Sequence, residues 1–233
     1  MGNSDQCRRG DCREAPELVQ LRVSFMTSNQ LRYVEALGPS IVEVLDDVSR
    51  LRMELFRDYP YCYAGNLDYE QNYLRGLSEN HESLVIAAYA ENELVGTATA
   101  LPLESSADIL EGARDRFSNA GLRPEICYYY SEILVRPGQR RRGIAGEFYR
   151  RRDATARRLG YSTLCFAALD TSTLARVKPA RYFDPSDLWR RMGFVSNPEL
   201  YVDYHWPTLQ ADGSSVDTEH RLYFWVRHLD LAS

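Results

Sequence analysis

The segment between residues 126 and 160 constrains the fold of this chain more than any other part. Its residue pattern predicts a strand at residues 126–135, a turn with four arginines at residues 136–142, and a helix that opens at Gly143 and is closed by Gly160. A loop that leaves a strand and opens a helix presents unpaired backbone N–H groups at the positive end of the helix dipole. Such a site binds phosphate without any particular side chain. The segment therefore predicts an anion site built into an α/β arrangement.

The positive charge of the chain is concentrated at the same place. Of the 28 basic residues, 27 are arginine, and nine of these lie between Arg136 and Arg158 against two acids. That window carries +7, and because the whole chain carries −5, the remainder carries −12. The single lysine, Lys178, is followed by Pro179, which excludes a Walker A phosphate loop, and the absence of G-x-G-x-x-G weighs against a Rossmann dinucleotide site.

The arginines of the predicted helix have an ordinary surface interpretation. Glu147 precedes Arg151 by four residues and Asp153 precedes Arg157 by four, so both pairs are spaced as ion pairs on a helix surface. We therefore expect most of the helical charge to be solvated. The turn arginines differ, because they precede the helix and need another partner.

The hydrophobic pattern predicts one mixed α/β domain, residues 18–233, after a disordered polar tail at residues 1–17. Strands are predicted at residues 18–26, 84–89, 94–101, 126–135, 163–169, 200–206 and 222–228. Helices are predicted at residues 40–57, 69–77, 107–120, 143–159 and 187–192. A polar loop at residues 207–219 is predicted to join the last two strands.

Two motifs in this order resemble the GNAT superfamily of acetyl-CoA-dependent N-acetyltransferases. Residues 135–145, Val-Arg-Pro-Gly-Gln-Arg-Arg-Arg-Gly-Ile-Ala, resemble its pyrophosphate motif, Arg/Gln-x-x-Gly-x-Gly/Ala, with Arg140, Gly143 and Ala145 at the motif positions. Residues 188–194, Leu-Trp-Arg-Arg-Met-Gly-Phe, resemble its second signature, an aromatic-x-x-x-Gly-Phe helix exit. The resemblance implies a central, mostly antiparallel sheet flanked by helices. The aromatic-rich segments suggest an uncharacterised bacterial-type subgroup.

The resemblance also implies acetyl-CoA as co-substrate. In this family the pyrophosphate lies on the turn and the helix start, and the pantetheine lies in an opening between the fourth and fifth strands. The backbone of Leu134 and Val135 would then meet the pantetheine and the acyl carbonyl, and one of their N–H groups would stabilise the tetrahedral oxyanion. The residues implied for the pyrophosphate are Arg140, Arg141, Arg142, Gly143, Ile144, Ala145 and Gly146.

Glu132 is the candidate general base. An alkyl amine has a pKa of about 10.4, so it arrives protonated and must lose a proton before it attacks a thioester. Glu132 lies on the predicted fourth strand among apolar and aromatic neighbours, where partial burial raises the pKa of a carboxyl group. The alternative is an ordinary carboxylate on the outward face of the strand.

Trp189 departs from the family pattern. The residue four before the glycine of the second signature is commonly a tyrosine that protonates the departing thiolate, and an indole N–H donates a hydrogen bond but is no acid. A thiol with a pKa of about 8.5 is a fair leaving group without full protonation. Tyr182 is the nearest tyrosine in sequence and the candidate substitute, while Trp189 is expected to pack against the pantetheine arm.

The function expected from these residues is transfer of an acetyl group from acetyl-CoA to a primary amine of a small molecule or peptide, by direct attack in a ternary complex. Two alternatives stay open: a GNAT-fold protein with impaired catalysis that senses CoA, and a nucleic-acid-binding module that uses the arginines from Arg136 to Arg158. The four histidines lack metal-ligand spacing, so no metal is expected.

The acceptor amine is unidentified, and nucleic acid and membrane partners are not expected. A homodimer is possible if the terminal Trp225 strand forms an edge of the sheet. Five scattered cysteines, no signal peptide and no apolar segment long enough for a bilayer favour the cytoplasm.

Overall fold

The computed structural model describes residues 21–26, 31–172, 174, 178–180 and 182–230. The predicted disordered tail, residues 1–17, lies outside this part of the chain. No helix of the described residues is long and apolar enough to cross a membrane.

Eight strands and six α-helices are found in the described residues. The strands are β1 (Arg22–Met26), β2 (Leu31–Leu37), β3 (Leu84–Ala90), β4 (Glu93–Pro102), β5 (Cys127–Val135), β6 (Thr163–Leu169), β7 (Val195–Leu209) and β8 (Ser215–His228). The α-helices are α1 (Leu45–Phe56), α2 (Leu67–Ser78), α3 (Ala107–Glu111), α4 (Arg114–Asn119), α5 (Ile144–Leu159) and α6 (Ser186–Arg191).

All eight strands form one sheet in the order β1-β2-β3-β4-β5-β6-β8-β7. Every neighbouring pair is antiparallel except β5 and β6, which are parallel. Short turns join β3 to β4 and β7 to β8, whereas β5 reaches β6 through α5, the kind of crossover that a parallel pair requires. The predicted fold class, a mixed α/β fold with a mostly antiparallel sheet, is confirmed.

Helices cover both faces of the sheet. Helix α1 turns Leu45, Val48 and Leu51 inward, and these residues belong to one apolar cluster with α2, α3 and α4. Helix α5 buries Ile144 and Phe148 against the opposite face. Each such side chain contributes about 1.5–3 kcal/mol when fully buried. The sheet therefore separates an α1–α4 layer from an α5 layer.

Three parts of the sequence prediction are wrong. Strand β2 was not predicted, and the predicted helix at residues 107–120 is two short helices, α3 and α4. The predicted loop at residues 207–219 is mostly paired strand, in which Pro207 lies opposite Asp217 and Leu209 opposite Ser215. Pro207 is tolerated because β7 is the last strand of the sheet, and proline within sheets is found on edge strands.

The position of β8 removes the reason given for a dimer. This strand, which contains Trp225, lies between β6 and β7 and is paired on both sides. It offers no free edge for pairing with a second copy of the chain.

Candidate active site

The parallel strands β5 and β6 separate after three residues. Pairing runs from Cys127–Thr163 to Tyr129–Cys165 and then stops. Beyond this point β5 stays with β4 and β6 stays with β8, so the two strands diverge along the rest of their length. The sheet is therefore open between β5 and β6 at the end where β5 runs into the arginine turn.

A β-bulge lies at the start of this gap. Thr99 of β4 pairs with Glu132, and Leu101 pairs with Tyr129, so β5 holds one residue more than β4 between the two pairs. A bulge interrupts the alternation of side chains and redirects them. As a result Ser131 and Glu132, although adjacent, both face the α1–α4 layer: the Ser131 hydroxyl lies 2.9 Å from that of Tyr73 on α2, and Glu132 contacts Arg52 on α1.

Glu132 belongs to a buried ion cluster, which we define as Arg52, Glu70 and Glu132. Arg52 Nε donates to Glu70 Oε2 at 2.5 Å, and Arg52 Nη1 makes an ion pair with Glu132 Oε1 that lacks hydrogen-bond geometry. All three residues are at most 9% exposed. Burial lowers the pKa of Arg52, but the charges around it, Glu132 first, more than compensate and hold that pKa above its ordinary value. Two carboxylates face one guanidinium, so the ion cluster has a negative excess.

The sequence analysis found Glu132 but missed Arg52 and Glu70. A signal was present, because Arg52 follows Val48 by four residues on the apolar stripe of α1, where a charged side chain needs a buried partner. The identity of that partner depends on how α1 packs against α2 and β5. Helical periodicity does not contain this information.

Tyrosines surround the ion cluster. Burial raises the pKa of Tyr61 to about 12 and that of Tyr73 still further, so both phenols are neutral at ordinary pH. Trp206 of β7 donates its indole N–H to the Tyr61 carbonyl at 3.1 Å, and the Tyr204 hydroxyl donates to Asp108 at 2.7 Å. The long β7–β8 hairpin thus reaches over the α1–α4 layer beside the bulge.

The turn after β5 has the geometry of an anion site. Gly143 has a φ of +83°, which favours glycine, and the Glu147 N–H donates to its carbonyl at 3.0 Å. The N–H groups of Ile144, Ala145 and Gly146, in the first turn of α5, therefore have no carbonyl of the preceding turn to which they can donate. A Cβ atom placed on Gly143 or Gly146 would meet nothing within 4 Å, so the backbone is open to a ligand.

The turn arginines differ in their partners. Arg136 makes ion pairs with Glu54 and Glu93. Arg140 and Arg141 are exposed and pair with none of the carboxylates that the structure describes, although Arg140 Nε donates to the Val135 carbonyl at 3.2 Å.

Three further residues of the predicted phosphate and pantetheine contacts lie at this end of β5. Arg142 contacts Gln139 within the turn. Leu134 and Val135 end β5 and pair with Thr97 and Gly96 of β4. The residues predicted to contact a pyrophosphate are therefore contiguous with the open end of the sheet.

The predicted surface role of the helical arginines is only partly confirmed. Arg150, Arg157 and Arg158 are exposed, and the pair of Glu147 with Arg151 is present. Arg151 itself is buried, however, and also pairs with Glu35 of β2. The predicted pair of Asp153 with Arg157 is wrong, because Asp153 pairs with Arg227 of β8 at 2.5 Å.

The two other predicted catalytic residues lie apart. The Trp189 ring packs 4.8 Å from Phe166 and 5.1 Å from Trp225, beside the gap between β5 and β6. Tyr182 instead packs edge-on against Tyr59 at 4.9 Å. Tyr149 of α5, which the sequence analysis did not single out, belongs to the same apolar cluster as Trp189.

Known proteins share this architecture. The model of the acetyltransferase (GNAT) family matches residues 46–178, more than half of the chain. An N-acetyltransferase from Staphylococcus aureus Mu50 has a similar fold, with a TM-score of 0.52 and 16% identity over 86% of this chain and 99% of its own. So does the ribosomal-protein-S18-alanine N-acetyltransferase from Escherichia coli, with a TM-score of 0.51 and 11% identity over 86% of this chain and 96% of its own.

A third fold match is the ribosomal-protein-alanine N-acetyltransferase from Brucella melitensis, with a TM-score of 0.50 and 15% identity over 84% of this chain and 99% of its own. No curated protein sequence matches the chain. The match to the family model extends over α1, α2, the bulged strand β5, the arginine turn and α5. The chain belongs to the acetyltransferase (GNAT) family.

Proposed function

We propose that the protein is an N-acetyltransferase that moves the acetyl group of acetyl-CoA directly to a primary amine of a small molecule or peptide. The observation that carries the proposal is the bulge in β5, which points Glu132 at the α1–α4 layer where β5 leaves β6. Strand β5 thus brings together the Glu132 carboxylate, the opening between β5 and β6 and the arginine turn that follows the strand.

The turn and the start of α5 supply the contacts for the pyrophosphate. The N–H groups of Ile144, Ala145 and Gly146 lie in the first turn of a 16-residue helix, at the positive end of its dipole. Arg140 and Arg141 add charge-assisted hydrogen bonds. Arg142 and the backbone of Gly143 complete this side, and the pantetheine then extends into the gap along Leu134 and Val135.

Glu132 is the proposed base for the amine. The ion cluster has two carboxylates and one guanidinium, so it favours a protonated amine as ligand. The Glu132 carboxylate would take the proton from this amine before the amine attacks the thioester. Arg52 keeps Glu132 in one orientation, and the neutral phenols of Tyr61 and Tyr73 provide apolar ring faces with polar tips. The acceptor class that fits is a cationic alkyl amine.

Trp189 is proposed to pack against the pantetheine arm, because it lies with Phe166 at the edge of the gap. Tyr182 stays a candidate proton donor, and its ring contacts Tyr59 rather than Trp189. The described cysteines, Cys62, Cys127 and Cys165, are free thiols, which supports the proposed cytoplasmic location.

The test is a thiol-release assay with acetyl-CoA and a panel of amines, together with calorimetry of CoA binding. We expect micromolar to sub-millimolar CoA affinity and release of one thiol per acetylated amine, with cationic alkyl amines as the best acceptors. CoA binding without turnover on any amine would favour the alternative of a CoA sensor.

The nucleic-acid alternative has less support than the sequence suggested. Arg151 and Arg152 are buried, Arg136 and Arg150 are paired with carboxylates, and so fewer of the clustered arginines can meet a phosphate backbone. Binding of duplex DNA at moderate salt with no CoA binding would reverse this preference.

A further inference from the structure

The bulge in β5 leaves an interval on the face of the sheet that α5 covers. Tyr130 and Ile133 pack in an apolar cluster with residues of α5. The two residues between them, Ser131 and Glu132, point instead to the α1–α4 layer. In a regular strand only one residue separates two side chains on the same face. The α5 face of β5 is therefore bare backbone over two consecutive residues, directly behind the Glu132 side chain.

Arg152 of α5 fills this interval. The residue is 1% exposed, and its guanidinium lies 4.0 Å from the centroid of the Tyr130 ring. Its Nη1 donates to the carbonyls of Thr99 and Glu132, at 3.3 Å each. Thr99 and Glu132 lie opposite one another on β4 and β5, and they are the pair that adjoins the bulge. One guanidinium therefore joins the two strands where their register changes.

The charge of Arg152 is costly to bury, so its presence calls for a role that an apolar side chain cannot perform. Burial lowers the pKa of Arg152, and the acidic groups near it, Asp153 and Glu132 among them, act in the opposite direction. A bulge interrupts the ladder of backbone hydrogen bonds, and buried carbonyls beside it need a donor. Arg152 supplies that donor.

Glu132 is thus held from both faces of the sheet. Arg52 contacts its carboxylate in the α1–α4 layer, and Arg152 donates to its carbonyl from the α5 layer. Side-chain direction alternates along a regular strand, so a change of register by one residue moves side chains to the opposite face. The direction in which Glu132 points therefore depends on the bulge, and the hydrogen bonds of Arg152 are made at that bulge.

We propose that Arg152 is a positioning residue for Glu132: by donating to the carbonyls of Thr99 and Glu132 it holds the bulge and keeps the carboxylate directed at the acceptor amine. The inference rests on the proposed function, in which Glu132 takes a proton from that amine. Arg152 takes no proton in this role and touches no substrate. Its effect on the reaction passes through the orientation of Glu132.

The experiment measures thiol release from acetyl-CoA by variants of Arg152. Arg152→Met removes the charge and the donors but keeps a long side chain. Its kcat should fall by about 10- to 100-fold, because a displacement of about 1 Å at the reacting groups can cost about 100-fold in rate. The Kd for CoA should not change, since the arginine turn is intact. Arg152→Lys keeps a charge and N–H donors without the planar fork, so it should lose less, and it provides the comparison if Arg152→Met does not fold.

Arg151→Met is the matched control. Arg151 is the neighbouring buried arginine of α5, and it pairs with Glu35 and Glu147, away from the bulge. This change should lower the stability of the protein and leave kcat as in wild type. Equal losses of kcat in Arg151→Met and Arg152→Met would overturn the proposal.

A double variant separates positioning from a merely structural role. In a Glu132→Gln background, either change at Arg152 should lower kcat/KM no further, because the carboxylate that Arg152 positions is already absent. Additive losses would show that Arg152 acts on the reaction by another route and would overturn its role toward Glu132.

Amide hydrogen exchange tests the hold on the bulge without turnover. In both Arg152 variants the amides of residues 131 and 132 should exchange faster than in wild type, relative to those of residues 127–129 on the same strand. Arg151→Met should leave this ratio unchanged. Unchanged exchange at the bulge in the Arg152 variants would refute the inference. Absence of thiol release by the wild type on every amine would instead refute the proposed function, so the two failures are distinguishable.

Discussion

The guanidinium of Arg52 supplies the positive charge that balances the buried carboxylates of Glu70 and Glu132 in the ion cluster. Arg52→Met should destabilise the protein by about 3–5 kcal/mol, because it leaves two buried carboxylates without compensation. Urea unfolding measures the loss. Arg50→Met, an exposed change on the same helix, is the matched control and should cost about 0.5 kcal/mol or less. Equal effects of the two would contradict the proposed importance of the ion cluster.

Glu132 and Glu70 separate a chemical role from a structural one within the ion cluster. Glu132→Gln should lower kcat/KM most at neutral pH and flatten the dependence of rate on pH, because the amide cannot take a proton. Glu70 lies deeper, with no exposed surface, so Glu70→Gln should change stability but keep the shape of the pH profile. An unaltered pH–rate profile in Glu132→Gln would exclude it as the base.

Gly96 illustrates a constraint on β4 that arises from close approach. A Cβ atom at this position would lie 2.9 Å from the Leu134 carbonyl and 3.3 Å from the Phe148 ring. Gly96→Ala should therefore destabilise the protein by about 1–3 kcal/mol through overpacking. Gly76→Ala, in open space on α2, is the control and should be neutral or stabilising, because alanine favours a helix. Thermal unfolding of both variants checks the difference.

At the scale of the elements, the sequence predicted a helix or strand correctly where the residues within that segment determine its structure. The strand, turn and helix around the arginines were predicted from adjacent residues, and with them the backbone of the proposed phosphate site. The bulge in β5 was not predicted, because it appears only in the register of β5 against β4. For the same reason one of the two predicted side-chain pairs of α5, Asp153 with Arg157, is wrong, because Arg227 on β8 is the partner of Asp153.

The sequence analysis predicted β7 and β8 to be shorter than they are, because polar residues in a hairpin at the edge of a sheet resemble a loop in sequence. Its inner side is ordered by Trp206, which stacks on His220 at 3.7 Å, and by the Thr208 hydroxyl, 2.8 Å from His220 Nε2. Hydrogen bonds from Ala64 to Pro207 and from Leu209 to Cys62 attach the hairpin to the loop after α1. These contacts join residues far apart in the chain, and periodicity within either segment does not reveal them.

His220 makes this hairpin sensitive to acid. Burial and the neighbouring His205 lower the pKa of His220, so the folded protein binds a proton at this site less readily than the unfolded chain does. Unfolding therefore takes up a proton as the pH falls below about 6.5, and the stability from this group is lost on acidification. The urea-unfolding free energy should fall less between neutral and mildly acidic pH in His220→Gln than in wild type. His81→Gln, a change at an exposed position, should show the same dependence of the unfolding free energy on pH as wild type. If the two variants behave alike, His220 is not the source of the acid sensitivity.

At the scale of the whole molecule, the sheet divides the proposed chemistry between its two faces. Glu132 and the tyrosines lie in the α1–α4 layer, whereas Tyr149, Arg152 and Trp189 lie in the α5 layer. The gap between β5 and β6 is the connection between them. A base on the α1–α4 face suits a reaction in which the amine attacks the acyl carbon from that side of the gap.

The charge distribution of the whole chain yields the last prediction. The chain carries −5 overall but +7 between residues 136 and 158, so the anion CoA is attracted to that segment and repelled by the acidic remainder. CoA binding should therefore weaken as NaCl rises from about 0.05 M to about 0.5 M, where screening shortens the reach of charges to a few ångströms. Replacing Arg140 and Arg141 together with Gln should raise the Kd for CoA about tenfold or more, since each charge-assisted hydrogen bond contributes about 1.5–3 kcal/mol. The double variant should also lose most of the salt dependence.

The matched control for this prediction has the same change of charge at the other end of α5. Arg157 and Arg158 are exposed in the last turn of the helix, away from Gly143. Replacing both with Gln should leave the Kd and its dependence on salt close to those of wild type. If the two double variants weaken CoA binding equally, the protein attracts CoA by its overall field, and the turn is not the pyrophosphate site. If only the Arg140 and Arg141 variant weakens it, the local contacts of the turn account for the affinity.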